Sequence, residues 1–400
     1  MRRFRIGSVF GIPLQLDLTF LVVLPLFAYL IGARIGETAE VLNQFWSAGI
    51  DAAALTGGAM PWILGTAAAL GLFVGVVLHE LGHSLVAMRF GVHIESITLW
   101  IFGGIASFEE LPENWRQEFT IAVAGPLVSV AIGVVCYAVF RTLPGTADAT
   151  RFVVGYLAFL NLMLAVFNML PGFPMDGGRV LRALLARSYP YTRATKLAAS
   201  VGKVVAFLLG LVGLLSFNII LMGVAFFIYI GAASESQQTV LKAAFEGIPV
   251  RRLMTPAERV IAVTPDTSVA ALLDQMFEQR HVGYPVVNED GRVAGVVTLD
   301  DASDVSPVER DAYTVADVMS TDLHTVTPDT DAMEAMTALQ SANVGRLLVV
   351  DETDGLVGIV TRSDFMRALE VLTESGTLDD DSRRKPREGD TSTADLPENR

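Results

Sequence analysis

The pentapeptide HELGH at residues 79–83 lies inside an apolar stretch, residues 61–90, that is long enough to cross a lipid bilayer. At helical pitch His79 and His83 project from one face of a helix, so two imidazoles can bind one metal ion while Glu80 points to a water molecule. Each ionisable side chain at membrane depth costs about 2.5–3.5 kcal/mol on insertion scales. Three of them in one turn therefore predict a metal-dependent hydrolytic site within a membrane.

Composition indicates an integral membrane protein joined to a soluble part. The chain is 52% hydrophobic with a mean hydropathy of +0.48, and its single cysteine, Cys136, excludes an internal disulfide. Residues 1–240 contain 14 Lys and Arg against 13 Asp and Glu, whereas the remainder contains 15 against 30. The acidic charge therefore belongs to the soluble part, and it argues against nucleic acid as a partner.

Six apolar segments are long enough to span a bilayer, and the first is interpreted as a retained span rather than a cleaved signal peptide. They lie near residues 14–32, 62–88, 118–141, 152–175, 197–215 and 217–233. Basic residues precede the first segment and follow the fourth, which predicts a cytoplasmic position for both clusters. The sequence thus predicts a multi-pass α-helical protein of the cell membrane, with the N-terminus and the soluble part in the cytoplasm.

A catalytic zinc site usually has three protein ligands and one water, so the two histidines need a partner. Asp176 ends the fourth apolar segment at a matching depth, and its alternative interpretation is an N-cap of the following helix. Glu80 is rotated about 100° from His79 and is better placed as a general base than as a third ligand. Asn168 has two interpretations, stabilisation of an oxyanion or an interhelical hydrogen bond.

Residues 97–107 are apolar but too short to cross the bilayer. Strand-like stretches on either side of Gly103 and Gly104 predict a small hairpin that dips into the membrane, where protein or water must cover its polar backbone. The alternative is an ordinary interfacial loop. The tripeptide at residues 124–126, Ala-Gly-Pro, is interpreted as a close-packing or kink site without chemistry of its own.

The soluble part contains a tandem repeat. Residues 264–266, 286–287 and 295–301 have counterparts at a constant offset of 63 residues, which indicates two copies of one α/β unit. The predicted division is a membrane domain at 1–235, a linker at 236–253, repeats at 254–310 and 311–375, and a disordered acidic tail at 376–400.

These motifs together resemble the site-2 protease family of intramembrane zinc metalloproteases, in the branch with C-terminal tandem cystathionine-β-synthase-type (CBS) domains. The resemblance implies a six-span core, one Zn²⁺ per subunit held by His79, His83 and Asp176, and Glu80 as the catalytic carboxylate. Asn168 matches a polar position of the family's second motif.

The resemblance also assigns substrate and nucleotide positions. The segment with Gly103 and Gly104 is similar to one that presents a strand edge to an unwound substrate. Four positions match contacts to the ribose of adenine nucleotides, so ATP or AMP is an expected regulator, although such repeats also serve purely as dimerisation surfaces. These positions are Thr298, Asp301, Thr361 and Asp364.

The expected function is regulated intramembrane proteolysis. A zinc endopeptidase of this kind cleaves a single-span membrane protein near the cytoplasmic end of its helix, after local unwinding exposes the peptide bond. The alternative is a CBS-gated cation channel or transporter in which the His-Glu-His cluster binds a permeating cation. Such a pore needs polar groups on several spans, whereas the sequence concentrates them at two points.

Overall fold

The computed structural model describes residues 3–100, 103–108 and 114–374, and the chain divides into two compact units with a boundary after Gln237. The predicted tail at 376–400 lies outside the described residues. The first unit is mainly helical, and the second alternates short strands and helices.

The first unit begins with a strand pair and continues through long helices. Its elements are β1 (Arg3–Val9), β2 (Ile12–Asp17), α1 (Phe20–Ala33), α2 (Ile35–Trp46), α3 (Ala52–Leu55), α4 (Met60–Arg89), β3 (Ile94–Trp100), β4 (Gly103–Phe108), α5 (Trp115–Thr142), α6 (Asp148–Asn168), α7 (Asp176–Ala186) and α8 (Tyr191–Leu215). The next helix, α9 (Ile219–Phe245), crosses the unit boundary, so residues 236–245 of the predicted linker are helical.

Among the described residues, five helices are long and apolar enough to cross a membrane: α4, α5, α6, α8 and α9. Helices α1 and α2 pass the same test only as a pair, with a bend of 72° between them. The predicted first span at 14–32 therefore begins too early. Its first residues alternate apolar and polar side chains as strand β2, and the Asp17 carboxylate accepts hydrogen bonds from Thr19 just before α1 starts.

The predicted fourth span at 152–175 also ends earlier, because α6 stops at Asn168. Pro171 and Pro174 follow within six residues, and a proline ring cannot be accommodated in a helix interior without losing a backbone hydrogen bond. The chain turns through 169–175 and starts α7 at Asp176.

The first sheet has the strand order β1-β2-β3-β4, in which β2 and β3 are parallel and the outer pairs are antiparallel. Leu99 pairs with Gly104 and Trp100 with Gly103, so both glycines lie in strand β4. The expectation that the two glycines lie between the strands is therefore wrong, since both already pair with residues of β3. One edge of β4 has no strand partner among the described residues.

The second unit repeats one core twice. Its elements are β5 (Thr255–Pro256), α10 (Val269–Gln279), β6 (Gly283–Val287), β7 (Val293–Thr298), α11 (Leu299–Ser303), α12 (Val315–Val318), β8 (Thr325–Val326), α13 (Ala332–Ser341), β9 (Arg346–Val350), β10 (Leu356–Thr361) and α14 (Arg362–Glu374). Buried residues recur at the offset of 63 that the sequence predicts, as in the pairs Val269 and Ala332, Leu272 and Ala335, Met276 and Leu339, Tyr284 and Leu347, Val286 and Val349, and Val297 and Val360.

Candidate functional site

Helix α4 places the two motif histidines side by side in the interior of the first unit. His79 and His83 are each 3% exposed, and their Nε2 atoms lie 3.3 Å apart. The spacing of four residues puts both rings on one face, as the sequence predicts. Two imidazole nitrogens therefore face one small volume.

Asp176 faces the same volume from the first turn of α7. Its Oδ2 atom lies 3.1 Å from the Nε2 atom of each histidine. The residue that precedes α7 is Met175, and no side chain caps this helix, so the N-cap interpretation of Asp176 is wrong. The carboxylate is directed to the imidazoles instead.

These three ligand atoms fit a zinc ion. The bonds from zinc to nitrogen or oxygen are about 2.0–2.2 Å long, so the ligand atoms of a tetrahedral site lie about 3.3 Å from one another. The spacings between the two imidazole nitrogens and the carboxylate oxygen are 3.1–3.3 Å. Two neutral nitrogens and one carboxylate also leave a fourth position open, as in catalytic rather than structural zinc sites.

Helix α5 fixes the orientation of both imidazoles through their other nitrogens. His83 Nδ1 lies 2.7 Å from the carbonyl oxygen of Ile121, and His79 Nδ1 lies 2.8 Å from the hydroxyl of Ser129. A carbonyl oxygen only accepts, so Nδ1 of His83 carries a proton, which leaves Nε2 as the nitrogen that a metal would bind.

Gly125 is a part of the site that the sequence interpretation missed. A Cβ atom at Gly125 would overlap His83 Nε2 and would come within 2.7 Å of His79 Nε2. The signal was present in the spacing, because Ile121, Gly125 and Ser129 are four residues apart and share one face of α5. The glycine of the tripeptide at 124–126 therefore leaves the space that the imidazoles of His79 and His83 occupy.

Glu80 lies against strand β4. A Cβ atom at Gly104 would approach Glu80 Cγ to 2.5 Å, so a glycine is needed there for the strand to come this close. The structure shows no hydrogen bond or ion pair from the Glu80 carboxylate to the described part of the chain, and it leaves the carboxylate free for a proton or a substrate.

Asn168 does not join the cluster by a hydrogen bond. It is the last residue of α6, is partly exposed, and its amide makes no side-chain hydrogen bond within the described residues. Both of its interpretations therefore remain predictions. The buried amide of α6 is Asn161, whose Nδ2 donates to Leu157 while its Oδ1 faces Gly75 without a hydrogen-bond partner.

Helix α7 is held in place by a buried ion-pair cluster that the sequence interpretation also missed. Arg182 is 1% exposed, and its Nε and Nη1 atoms each donate over 2.6 Å, to Glu118 and Glu235 respectively. Its guanidinium lies 4.9 Å and 4.8 Å from the ring centres of Phe173 and Tyr191. Arg182 thus belongs to the protein interior, and it is not one of the free basic charges that indicate membrane orientation.

The loop before α7 is packed closely enough to require glycine. A Cβ atom at Gly177 would come within 2.5 Å of the carbonyl group of Met169, and one at Gly178 within 2.5 Å of the backbone of Gly172. The chain therefore folds back on the first turn of α7, which fixes the position of Asp176.

In the second unit, the predicted nucleotide positions form two equivalent helix caps. The hydroxyl of Thr298 donates to Asp301 Oδ2 over 2.7 Å, and that of Thr361 donates to Asp364 Oδ2 over 2.7 Å. In each pair the Thr backbone N–H donates to the same oxygen, so the carboxylate satisfies the start of α11 or α14. The Oδ1 atom of each aspartate is left outside this cap.

A third cap of the same form occurs at the start of α12. Thr314 donates to Asp317 through its backbone N–H and its hydroxyl, each over 2.8 Å. These hydrogen bonds hold the pKa of the Asp317 carboxyl below its usual range, so this carboxyl is negatively charged at neutral pH. The pair at 314 and 317 does not occupy a predicted nucleotide position and therefore provides an internal control.

Replacement of Gly125 by alanine should reduce metal binding. The added methyl displaces the imidazoles, so the zinc affinity of purified Gly125→Ala protein should decrease at least tenfold, measured by competition with a chelator. The matched control is Gly223→Ala in α9, where the structure has open space within 4 Å. Unchanged zinc affinity of Gly125→Ala would contradict the assigned role.

Comparison with known proteins gives two matching families. Residues 67–152 and 145–209 match Peptidase family M50, and residues 250–307 and 315–371 match the CBS domain. A zinc metalloprotease of Methanocaldococcus jannaschii is 38% identical over 368 residues, which cover 92% of this chain and 96% of the relative.

Two solved structures are similar to parts of the chain. The site-2 protease from Methanocaldococcus jannaschii is 39% identical, covers 59% of this chain and 95% of its own, and has a TM-score of 0.42. CBSX2 of Arabidopsis thaliana in complex with AMP is 29% identical, covers 32% of this chain and 99% of its own, and has a TM-score of 0.29. On its identity and coverage with the curated relative, this chain belongs to Peptidase family M50, the site-2 protease family of zinc metalloproteases, and carries tandem CBS domains.

Proposed function

We propose that this metalloendopeptidase cleaves a peptide bond within the transmembrane helix of a single-span substrate, near the cytoplasmic end of that helix. The observation that carries the proposal is that Asp176 of α7 meets His79 and His83 of α4, a helix that is apolar enough to cross a membrane and that also carries Glu80. A helical substrate satisfies its own backbone hydrogen bonds, so it has to unwind locally before hydrolysis.

The proposed topology has six membrane crossings in the cell membrane, with the bent pair α1 and α2 as the first. The N-terminus and the CBS module lie in the cytoplasm. Support comes from Arg2, Arg3 and Arg5 near the N-terminus and from the basic residues in α7 and α8, with the buried Arg182 excluded from the argument. The proposed division into domains is the one drawn from the sequence, 1–235, 254–310 and 311–375, with the linker at 236–253 and the tail at 376–400.

Strands β3 and β4 are proposed to dip into the membrane at the depth of the metal site. Non-helical backbone needs protein cover there, and β3 has it on one face. Ile97 packs with Leu81 of α4, and Leu99 packs with Phe73 and Val76 of the same helix. The edge of β4, with Gly103 and Gly104, that lacks a strand partner in the described part of the chain is then available to pair with an unwound substrate segment as an added strand.

The proposed ligands of one zinc ion per subunit are His79, His83 and Asp176. When bound there, zinc would act as a Lewis acid that polarises a carbonyl group and lowers the pKa of a water molecule. Glu80 accepts the proton of the attacking water and delivers it to the leaving amide nitrogen, so its carboxylate has to be free of other partners. Ile121 and Ser129 keep the imidazoles oriented throughout.

Asn168 is proposed as a second catalytic residue. Its amide makes no side-chain hydrogen bond to any residue that the structure describes, and it lies at the end of α6, eight positions before Asp176. In this role it donates a hydrogen bond to the oxyanion that develops at the scissile carbonyl. The interhelical hydrogen bond stays as the alternative.

The CBS module is proposed to modulate proteolysis by binding ATP or AMP and to contribute a homodimer contact. Support comes from the Thr-Asp pairs at 298 and 301 and at 361 and 364, each with one carboxylate oxygen outside its cap and available to a ribose hydroxyl.

Replacement of Glu80 by glutamine should abolish cleavage and retain zinc. The amide has nearly the same shape but cannot accept the proton, so the cleavage rate of a model single-span substrate in detergent should decrease at least about a hundredfold. Zinc content should stay at one per chain. Glu95→Gln, on an exposed position of β3, is the control. Undiminished cleavage by Glu80→Gln would refute the general-base assignment.

Replacement of Asp176 by alanine should remove a ligand oxygen and lower zinc content. Metal analysis after dialysis against a chelator should show less zinc in Asp176→Ala than in wild type, and no cleavage. Glu40→Ala, which changes an exposed acid of α2, should keep the wild-type zinc content. Full retention of zinc by Asp176→Ala would exclude this residue from the ligand set.

Adenine nucleotide should stabilise the CBS module by mass action. ATP or AMP is expected to raise the melting temperature of the protein, and the rise should be smaller in Asp301→Ala/Asp364→Ala. Because these changes also remove helix caps, Asp317→Ala is the matched control, and its nucleotide-induced rise should equal that of wild type. The absence of any rise with adenine nucleotides would leave dimerisation as the role of the module.

A further inference from the structure

The second unit contains an open cleft of about 340 Å³ next to the cap at Asp364. Its polar lining consists of Arg252, Asp364 and Arg367, and its apolar lining includes Ile248, Leu253 and Leu372. Small-molecule sites typically have a volume of several hundred Å³ and a largely apolar lining with a few polar groups. The cleft therefore has the size and the composition of a site for a small ligand.

The chain segment that carries Arg252 packs against the second repeat in the same way as residues 315–319 pack against the first. Three pairs of backbone hydrogen bonds match. Val250 N–H donates to Thr330 O as Val315 N–H donates to Thr267 O, and Arg251 N–H donates to Pro328 O as Ala316 N–H donates to Pro265 O. Within each segment, Met254 N–H donates to Val250 O as Met319 N–H donates to Val315 O. In this alignment Arg252 is equivalent to Asp317.

The second arginine has an acidic counterpart as well. At the offset of 63 residues, Arg367 of α14 corresponds to Asp304, which directly follows α11. The start of α14 reads Thr-Arg-Ser-Asp-Phe-Met-Arg from residue 361, whereas that of α11 reads Thr-Leu-Asp-Asp-Ala-Ser-Asp from residue 298. The two pseudo-equivalent surfaces thus share the Thr-Asp cap and carry opposite charge around it.

This difference decides which surface tolerates phosphate. Arginine guanidinium groups bind phosphate oxygens through charge-assisted hydrogen bonds, whereas unpaired carboxylates repel them. Arg252 and Arg367 are exposed side chains, and the nearest acid to Arg367 is Asp364, at 3.9 Å between Nη1 and Oδ1. In the first repeat the positions that correspond to the two arginines are the exposed acids Asp304 and Asp317, and Asp300, next to Asp301 in the chain, is a further exposed acid.

We propose that the two repeats are unequal, and that an adenine nucleotide binds at the Asp364 cleft alone, with its phosphates on Arg252 and Arg367. The ribose hydroxyls donate to Asp364, and the base lies against the apolar lining of the cleft. The cap at Asp301 is retained for folding only. This inference rests on the proposed nucleotide binding and specifies its site and stoichiometry.

The test is nucleotide titration of the full chain in detergent micelles by calorimetry. Wild type should bind one ATP per chain, and Arg252→Ala/Arg367→Ala should weaken ATP binding at least tenfold. Removal of the acids in Asp304→Ala/Asp317→Ala is the matched control and should not weaken it. Adenosine, which lacks phosphates, should bind wild type and the arginine variant with similar affinity.

Four results would overturn the inference, and the last of them would also refute nucleotide binding by the CBS module. Two ATP molecules per chain with similar affinity, or a loss of ATP binding in Asp301→Asn but not in Asp364→Asn, would show that the first repeat is a site and would leave nucleotide binding intact. Retained ATP affinity in the arginine variant would exclude the assigned phosphate contacts. No binding of ATP, ADP or AMP to wild type would refute nucleotide binding as such, while the proteolytic proposal is tested separately through Glu80→Gln.

Discussion

The contact between α4 and α5 is the constraint on which the site depends. Both imidazoles of α4 direct Nδ1 to α5, one to the Ile121 carbonyl and one to the Ser129 hydroxyl, so both Nε2 atoms point to one volume. The helices approach this closely because Gly125 has no side chain where the two Nε2 atoms lie. The two histidines of the motif can thus bind one metal ion only if the neighbouring helix provides hydrogen-bond partners for both Nδ1 atoms and a glycine beside both Nε2 atoms.

The proposed third ligand depends on a different kind of interaction. Asp176 lies at the start of a short helix, and such a helix has little stability of its own. The buried contact of Arg182 with Glu118 and Glu235 ties it to α5 and α9. A buried charge left without its partner is strongly unfavourable, which is why this cluster fixes one position of the helix. The ion-pair cluster and the proposed metal ligands are therefore parts of one arrangement.

The tandem repeat combines a constant core with exposed charges that differ between its two copies. The buried positions recur at the same offset and keep the fold, and the Thr-Asp caps recur because each satisfies the start of a helix. Arg252, Arg367 and Asp304 are exposed side chains outside both cores, and their counterpart Asp317 caps α12 from the surface, so the charge at these positions can differ while the cores stay the same. The exposed side chains, and not the fold, distinguish the two surfaces.

The sequence by itself determined the histidine pair, Asp176 as its partner, the apolar helices and the repeat, because each of these is written in local spacing or composition. It failed where the outcome depends on a neighbouring element. Gly103 and Gly104 lie in a strand instead of a turn, and Gly125 borders the imidazoles. The burial of Arg182 likewise has no local signature. Only the tertiary structure decides such features, since close approach and ion pairing between distant segments depend on which faces meet after folding.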